Sequence, residues 1–223
     1  MKINADRSLR VQVDTASLPW TGSPAGGVER RMLERDGEEV ARATSLVRFA
    51  PGSAFPEHEH GAGEEFLVLD GVFSDEEGDF PAGFYVRNPP GSRHSPASRP
   101  GCTILVKLRQ MQADDRAAVR IDTRTAGSAP VAQGVSEIPL FTGPTERVRI
   151  LVLAPGARWR FDPAEGGVEM FLLAGEAVID GAPCASGTWL RAPAGEAVLV
   201  VSDGGCRAFV KTGHLARAGD AAA

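Results

Sequence analysis

The chain reads as all-β, with two barrels in tandem, and three observations carry that expectation. Its 223 residues include 26 Gly and 16 Pro, which is what many short strands joined by tight turns require. Apolar runs such as residues 45–49, 103–107, 148–153 and 197–201 are bounded by Gly or Pro. They have the length of strands and leave little room for helix. A self-similarity at a fixed offset of 104 residues then sets the number of barrels at two.

Residues 1–43 hold no His and no Cys, and Trp20 to Gly27 is turn material leading into the first barrel. Residues 1–16 are expected to be partly ordered at best. A first block follows Gly52 and carries His58, His60, Glu64 and Gly71. Residues i and i+2 of a strand share a face, so His58 and His60 can aim at one point while Glu57 and Glu59 face away. Gly61, Ala62 and Gly63 form a short turn that lets the strand at 64–69 bring the Glu64 carboxylate back to the same point. A second block runs from Gly83 through Pro89 and Gly91 to His94, and the turn chemistry of residues 88–93 lets that distant segment supply a fourth ligand. Three of the chain's four histidines thus stand at metal-ligand spacing, and His214 is expected on the surface.

This two-block pattern resembles the cupin signature, except that Ser98 stands where an asparagine usually ends the second block. More narrowly, residues 55–110 resemble the C-terminal cupin of ChrR-type zinc anti-sigma factors. The likeness lies in Gly63-Glu64-Glu65-Phe66-Leu67-Val68-Leu69, Val72-Phe73-Ser74-Asp75-Glu76 and Tyr85-Val86-Arg87-Asn88-Pro89-Pro90-Gly91-Ser92. The resemblance implies cupin barrels, double-stranded β-helices of jelly-roll type, with a metal inside held by His58, His60, Glu64 and His94. One divalent transition metal is expected, Zn first, with Fe, Mn or Ni as alternatives. The anti-sigma factors also carry an N-terminal zinc-binding domain that grips the sigma factor. Residues 1–43 offer it no ligands, so anti-sigma activity is not carried over.

The offset pairs Ala154-Pro155-Gly156 with Ala50-Pro51-Gly52, Gly175 with Gly71, Arg191 with Arg87, Cys206 with Cys102 and Lys211 with Lys107. It maps His58, His60, Glu64 and His94 onto Asp162, Ala164, Val168 and Val198, so the second copy keeps its turns and core and has lost its ligands. The expected domains are an extension at 1–43 contributing to the first barrel, a metal-binding cupin at 44–111, a linker or a strand pair crossing between barrels at 112–132, a degenerate metal-free cupin at 133–215 and a tail at 216–223.

Twenty-four basic against 29 acidic residues, net −5, are interleaved along the chain, which argues against nucleic acid as a direct partner. No stretch has the apolar length of a membrane span, and the N-terminus lacks an apolar signal core. A cytoplasmic protein is the expectation, with Cys102, Cys184 and Cys206 as small buried residues. Barrel edges need closure or pairing, so a homodimer or a pseudo-dimer of barrels is expected.

Function divides into three classes. A closed four-ligand Zn centre suits a sensor or small-molecule-binding regulatory module, which needs a regulatory protein partner to transmit the signal. An open Fe(II) or Mn(II) centre suits a dioxygenase acting on a diketone or aromatic ketone. A purely structural metal gives a scaffold. Tyr85 and Arg87, which share a face just before the second block, are the candidates for contacting a bound small molecule or reactive species. Against them, Arg87 recurs as Arg191 in the copy without ligands, which points to a role independent of the metal.

Overall fold

The computed structural model describes residues 1–38 and 40–216, so all of the expected tail at 216–223 except Ala216 lies outside the described residues. The chain forms two compact units, one of residues 1–5 and 18–125, the other of residues 6–17 and 126 onward.

In the first unit the main sheet is antiparallel, in the order Lys2–Ile3, Val28–Gly37, Ala41–Phe49, Cys102–Leu108, Glu64–Asp75, Phe84–Asn88 and Val119–Asp122. The long Glu64–Asp75 strand serves two ladders. Its first part pairs with Cys102–Leu108 and Phe84–Asn88, and its end pairs with Gly78–Pro81 and Ala97–Ser98. The bend between them rests on Gly71, where φ is +72° and a Cβ would stand 2.0 Å from the Gly101 carbonyl oxygen. Only glycine tolerates that approach in that backbone region. Pairing shifts by one residue between Thr103 and Ile104, a bulge that turns the strand into the second ladder. This is a jelly-roll of cupin type in which the sheets remain open.

Phe49, Phe66, Val68, Phe73, Val86, Ile104 and Val106 fill the space between the ladders. Phe73 is the hub, 4.5 Å from Phe66 and edge-on to Phe49 at 5.9 Å between ring centroids. Each such ring withdrawn from water contributes about 1.5–3 kcal/mol.

The second unit repeats the order with Ala129–Ala132, Val135–Thr142, Arg147–Leu153, Cys206–Thr212, Val168–Ile179, Thr188–Ala192 and Val11–Asp14. Gly175 makes the same bend as Gly71, with φ +77° and a Cβ position 2.2 Å from the Gly205 oxygen. Its core holds Leu151, Phe161, Val168, Met170, Leu190, Val198 and Val210.

Some expectations are corrected here. Residues 6–17 fall in the second unit, because Val11–Asp14 pairs along Thr188–Ala192, Val11 opposite Arg191 and Asp14 opposite Thr188. The extension at 1–43 therefore does not belong wholly to the first barrel, and residues 1–16 include two paired strands, Lys2–Ile3 and Val11–Asp14. The physical reason is an edge: Thr188–Ala192 needs a partner for its outer backbone groups, and the alternating Val11-Gln12-Val13-Asp14 supplies one. Of the two readings of residues 112–132, strands are what form: Val119–Asp122 pairs along Phe84–Asn88 in the first unit, and Ala129–Ala132 pairs along Val135–Thr142 in the second. Finally, His214 is buried, its Nε2 3.0 Å from Glu169 Oε2. Among the described residues no helix is long and apolar enough to cross a membrane.

Candidate metal centre

Two ladders of the first unit bring four side chains to one point. His58–Glu59 pairs with Arg93–His94, which sets His94 directly opposite His58. Glu64 opens its strand and sits opposite Leu108 on one side and Asn88 on the other. His58 and His60 approach at 3.2 Å between their Nε2 atoms. Glu64 Oε2 lies 3.5 Å from His60 Nε2 and 3.4 Å from His94 Nε2. All four ligand atoms lie within 4.8 Å of one another. His60, Glu64 and His94 are buried and His58 is half-buried, so solvent reaches the cluster on the His58 side. Phe55 and Phe73 flank it, at 5.6 Å from His58 and 5.8 Å from His94 between ring centroids.

The back of each ring is engaged. His58 Nδ1 lies 3.0 Å from the Pro56 carbonyl, His60 Nδ1 3.0 Å from Ser92 Oγ, and His94 Nδ1 3.1 Å from Asp75 Oδ2. A carbonyl and a carboxylate only accept, so the neutral rings of His58 and His94 keep their proton on Nδ1 and turn the Nε2 lone pairs inward. His94 Nε2 is buried with no hydrogen-bond partner. His94 Nε2 faces Glu64 Oε2 at 3.4 Å and His58 Nε2 faces His60 Nε2 at 3.2 Å, so the inward-facing donor set fits a divalent metal. Three of the spacings between ligand atoms, His58 to His60, His60 to Glu64 and His94 to Glu64, are 3.2–3.5 Å. Ligands 2.0–2.1 Å from a tetrahedral Zn stand about 3.4 Å apart.

The electrostatics agree. Burial, and then the neighbouring His94 and His58, push His60 below the ordinary imidazole value, against the pull of Glu64. Burial also pushes His94 down, but its bond to Asp75 and the charges of Glu64, Asp75 and Glu76 outweigh that and raise it. Glu64 is itself supported: Asn88 Nδ2 donates to Oε2 at 3.2 Å, and Arg120 Nη2 donates to Asn88 Oδ1 at 2.7 Å. Asp75, Asn88, Ser92 and Arg120 were not singled out from sequence. Their roles depend on pairings between distant segments, although Asp75 and Asn88 lie in runs that already stood out.

Tyr85 and Arg87 do not face this cluster. Asn88 is the residue opposite Glu64, and Val86 shares its face and packs in the core. Alternation turns Tyr85 and Arg87 the other way. Tyr85 Oη donates to Glu65 Oε2 at 2.6 Å. Arg87 donates to Asp115 Oδ2 at 2.6 Å and lies 2.7 Å from Met111 Sδ. Lys107, Glu65 and Arg87 stand side by side across three strands, and Lys211, Glu169 and Arg191 do the same in the second unit. The recurrence of Arg87 as Arg191 is thus a shared buried charged stripe, and the expectation that Tyr85 and Arg87 contact a ligand at the metal is corrected.

In the second unit Val168 and Val198 are fully buried core residues. Asp162 caps the short 3-10 turn Pro163–Glu165, accepting from Ala164 N at 2.8 Å, while Glu165 accepts from Asp162 N. Among the described residues, His58, His60, Glu64 and His94 form the one group that could hold a metal. Ser98, in the place of an asparagine, donates to the Val72 carbonyl at 2.6 Å and ties its strand to the end of Glu64–Asp75.

Residues 8–112 match the family model of the ChrR Cupin-like domain. No curated protein sequence matches the chain. Among solved structures, a candidate dioxygenase from Nostoc punctiforme superposes with a TM-score of 0.74 at 17% identity, covering 96% of this chain and 86% of that one. The bacterial pirin YhhW from Escherichia coli, in complex with nickel(II), gives 0.69 at 12% identity, covering 92% and 98%. Bacillus subtilis oxalate decarboxylase, a protein with Mn(II) centres, gives 0.63 at 12% identity, covering 93% and 78%. At these identities the likeness establishes the cupin fold.

Proposed function

We propose that this protein is a metal-binding cupin that works as a sensor or small-molecule-binding regulatory module, with one divalent ion, Zn first, in the first unit. The observation that carries the reading is the complete donor set: three imidazoles and one carboxylate whose ligand atoms lie within 4.8 Å of one another, each ligand held from behind. Four protein ligands around Zn make a closed centre of the structural or sensing kind. The match of residues 8–112 to the ChrR cupin-like model supports a regulatory role. When bound, the metal would supply Lewis acidity and a fixed positive charge in a buried setting. The chain's own residues hold the ligands, and Phe55 and Phe73 keep the surroundings apolar.

A second reading, an Fe(II)-dependent dioxygenase, draws on the half-buried His58, which leaves one side of the cluster open to a small apolar molecule. The fold likeness to the Nostoc protein, and to relatives holding nickel(II) and Mn(II), keeps Fe, Mn and Ni as alternatives. Metal analysis of protein purified without added metal decides the ion. Anaerobic Fe(II) loading followed by oxygen-uptake assays with diketones and flavonols decides the chemistry. One ion per chain and no oxygen consumption is the expected result. Metal-dependent uptake above about one turnover per second, an ordinary enzyme rate, would establish the dioxygenase instead.

A further inference from the structure

We infer that Asp75 is the positioning residue of this centre, the group that fixes the tautomer of His94 and so decides whether His94 Nε2 is available to a metal. The inference rests on the metal reading above and concerns a residue outside the donor set. Asp75 ends the Glu64–Asp75 strand at the hairpin that returns through Gly78–Pro81, and its side chain is 1% exposed. The two carboxylate oxygens have separate tasks. Oδ1 accepts the Glu77 backbone N–H at 2.9 Å and closes the turn, while Oδ2 faces His94 Nδ1 at 3.1 Å.

The first task alone would explain an aspartate here, since Asp at a turn of this kind is common. It does not explain why the other oxygen lies, desolvated, against the back of a candidate ligand. Neutral imidazole has one N–H. With a carboxylate at Nδ1 that proton stays on Nδ1, and the Nε2 lone pair points at Glu64 and the other two rings. Without it the Nε2–H tautomer becomes accessible and aims a proton at the centre. The adjoining residues brace the same contact. Glu76 Oε2 accepts the Ser95 backbone N–H at 3.0 Å, and Glu77 pairs with Arg120 at 2.8 Å, the arginine that bonds the Asn88 holding Glu64. One acidic turn therefore reaches His94 directly and Glu64 through two residues.

Asp75→Asn separates the two tasks. Asparagine keeps an oxygen for the Glu77 N–H and turns an N–H₂ toward His94 Nδ1, which favours the wrong tautomer. Loss of an outer partner of a metal-bound histidine typically weakens affinity about 10–100-fold. Co(II) affinity measured by chelator competition should therefore fall by that factor in Asp75→Asn, with the melting temperature of the metal-free protein nearly unchanged. Nitrogen-15 NMR of the metal-free protein, at a pH where His94 is neutral, should show Nδ1–H in the wild type and Nε2–H in the variant. Unchanged Co(II) affinity together with a His94 that keeps Nδ1–H in the variant overturns the inference. So does an Nε2–H tautomer in the wild type, a result that needs no variant to fold. Wild-type protein that binds no Co(II) would sink the metal reading instead, and the tautomer measurement would still decide the role of Asp75.

Discussion

Glu64 and Glu65 are neighbours on one strand, yet they serve opposite faces of it. Glu64 Oε2 lies within 3.5 Å of two imidazoles, whereas Glu65 Oε2 accepts the Tyr85 hydroxyl at 2.6 Å in a buried charged stripe with Arg87 and Lys107. Their amide variants should separate cleanly. Glu64→Gln removes the one anionic ligand, and its loss of metal affinity should exceed the roughly 100-fold upper end for losing an outer partner. Glu65→Gln should bind metal as the wild type does while losing about 1–3 kcal/mol of stability. Isothermal titration with Zn(II) and urea unfolding of both variants check this, and an equal loss of metal in the two would refute the assignment of faces.

Each chain should bind one transition metal. Substituting both His58 and His60 by Ala should abolish binding, and Asp162→Ala in the second unit should leave the stoichiometry untouched. Asp162 caps a turn, so its removal should cost only about 1 kcal/mol. Metal content by elemental analysis of the three proteins tests the claim, which two tight ions per wild-type chain would contradict.

The two bending glycines should be equally intolerant of a side chain. At Gly71 and Gly175 an added Cβ would stand 2.0 and 2.2 Å from a backbone carbonyl oxygen, at φ values that L-residues rarely adopt. A backbone clash has no flexible neighbour to absorb it, so Gly71→Ala or Gly175→Ala should cost more than about 3 kcal/mol each. Soluble expression and thermal melts give the answer. Near-wild-type stability of either variant would show that the bend can relax.

How far the sequence disclosed this molecule depends on the range of the signal. His58, His60 and Glu64 lie within one strand and one turn, and alternation plus a glycine turn is enough to bring them together. His94 was reachable because proline and glycine announce its turn. Arg87 was left between a ligand contact and a role independent of the metal, because nothing local says which residue of Phe84–Asn88 stands opposite Glu64, and a slip of one residue reverses every side chain. Val11–Asp14 was misassigned for a related reason. Its alternation is visible, but the edge it completes belongs to a strand that begins at Thr188, far along the chain.

Acidification should change the stability of the metal-free protein little and reduce the stabilisation that a bound metal confers. In the metal-free state His94 is raised, so its contribution to stability is complete below the unfolded value of about 6.5 and is lost as pH rises through the folded value. His60 is lowered, so its contribution is present above that value and is lost as pH falls through its depressed one. The two oppose each other and leave a shallow profile. A bound ion requires both rings neutral, and the proton held more tightly on His94 must leave first. The gain in melting temperature on adding Zn(II) should therefore grow from acid to neutral pH. Calorimetry with and without Zn(II) across that range measures it, and a gain independent of pH would count against imidazole ligation.

The last prediction concerns Arg87, whose guanidinium is fully buried and pairs with Asp115 at 2.6 Å. Removing one member of a buried pair leaves the other charge without its partner, and such losses run to about 3–5 kcal/mol. Asp115 keeps some solvent contact, with its side chain 15% exposed, so the cost of Arg87→Ala should sit near the bottom of that range, about 3 kcal/mol. Because Arg87 lies on the face away from His58, His60, Glu64 and His94, metal affinity should stay within about twofold of wild type, a shift of under half a kcal/mol. Arg87→Lys should recover little of the stability, since an ammonium cannot reproduce the planar fork. Urea midpoints and Zn(II) titrations on the three proteins separate the possibilities. A variant of unchanged stability that had lost metal or small-molecule binding would return Arg87 to the centre.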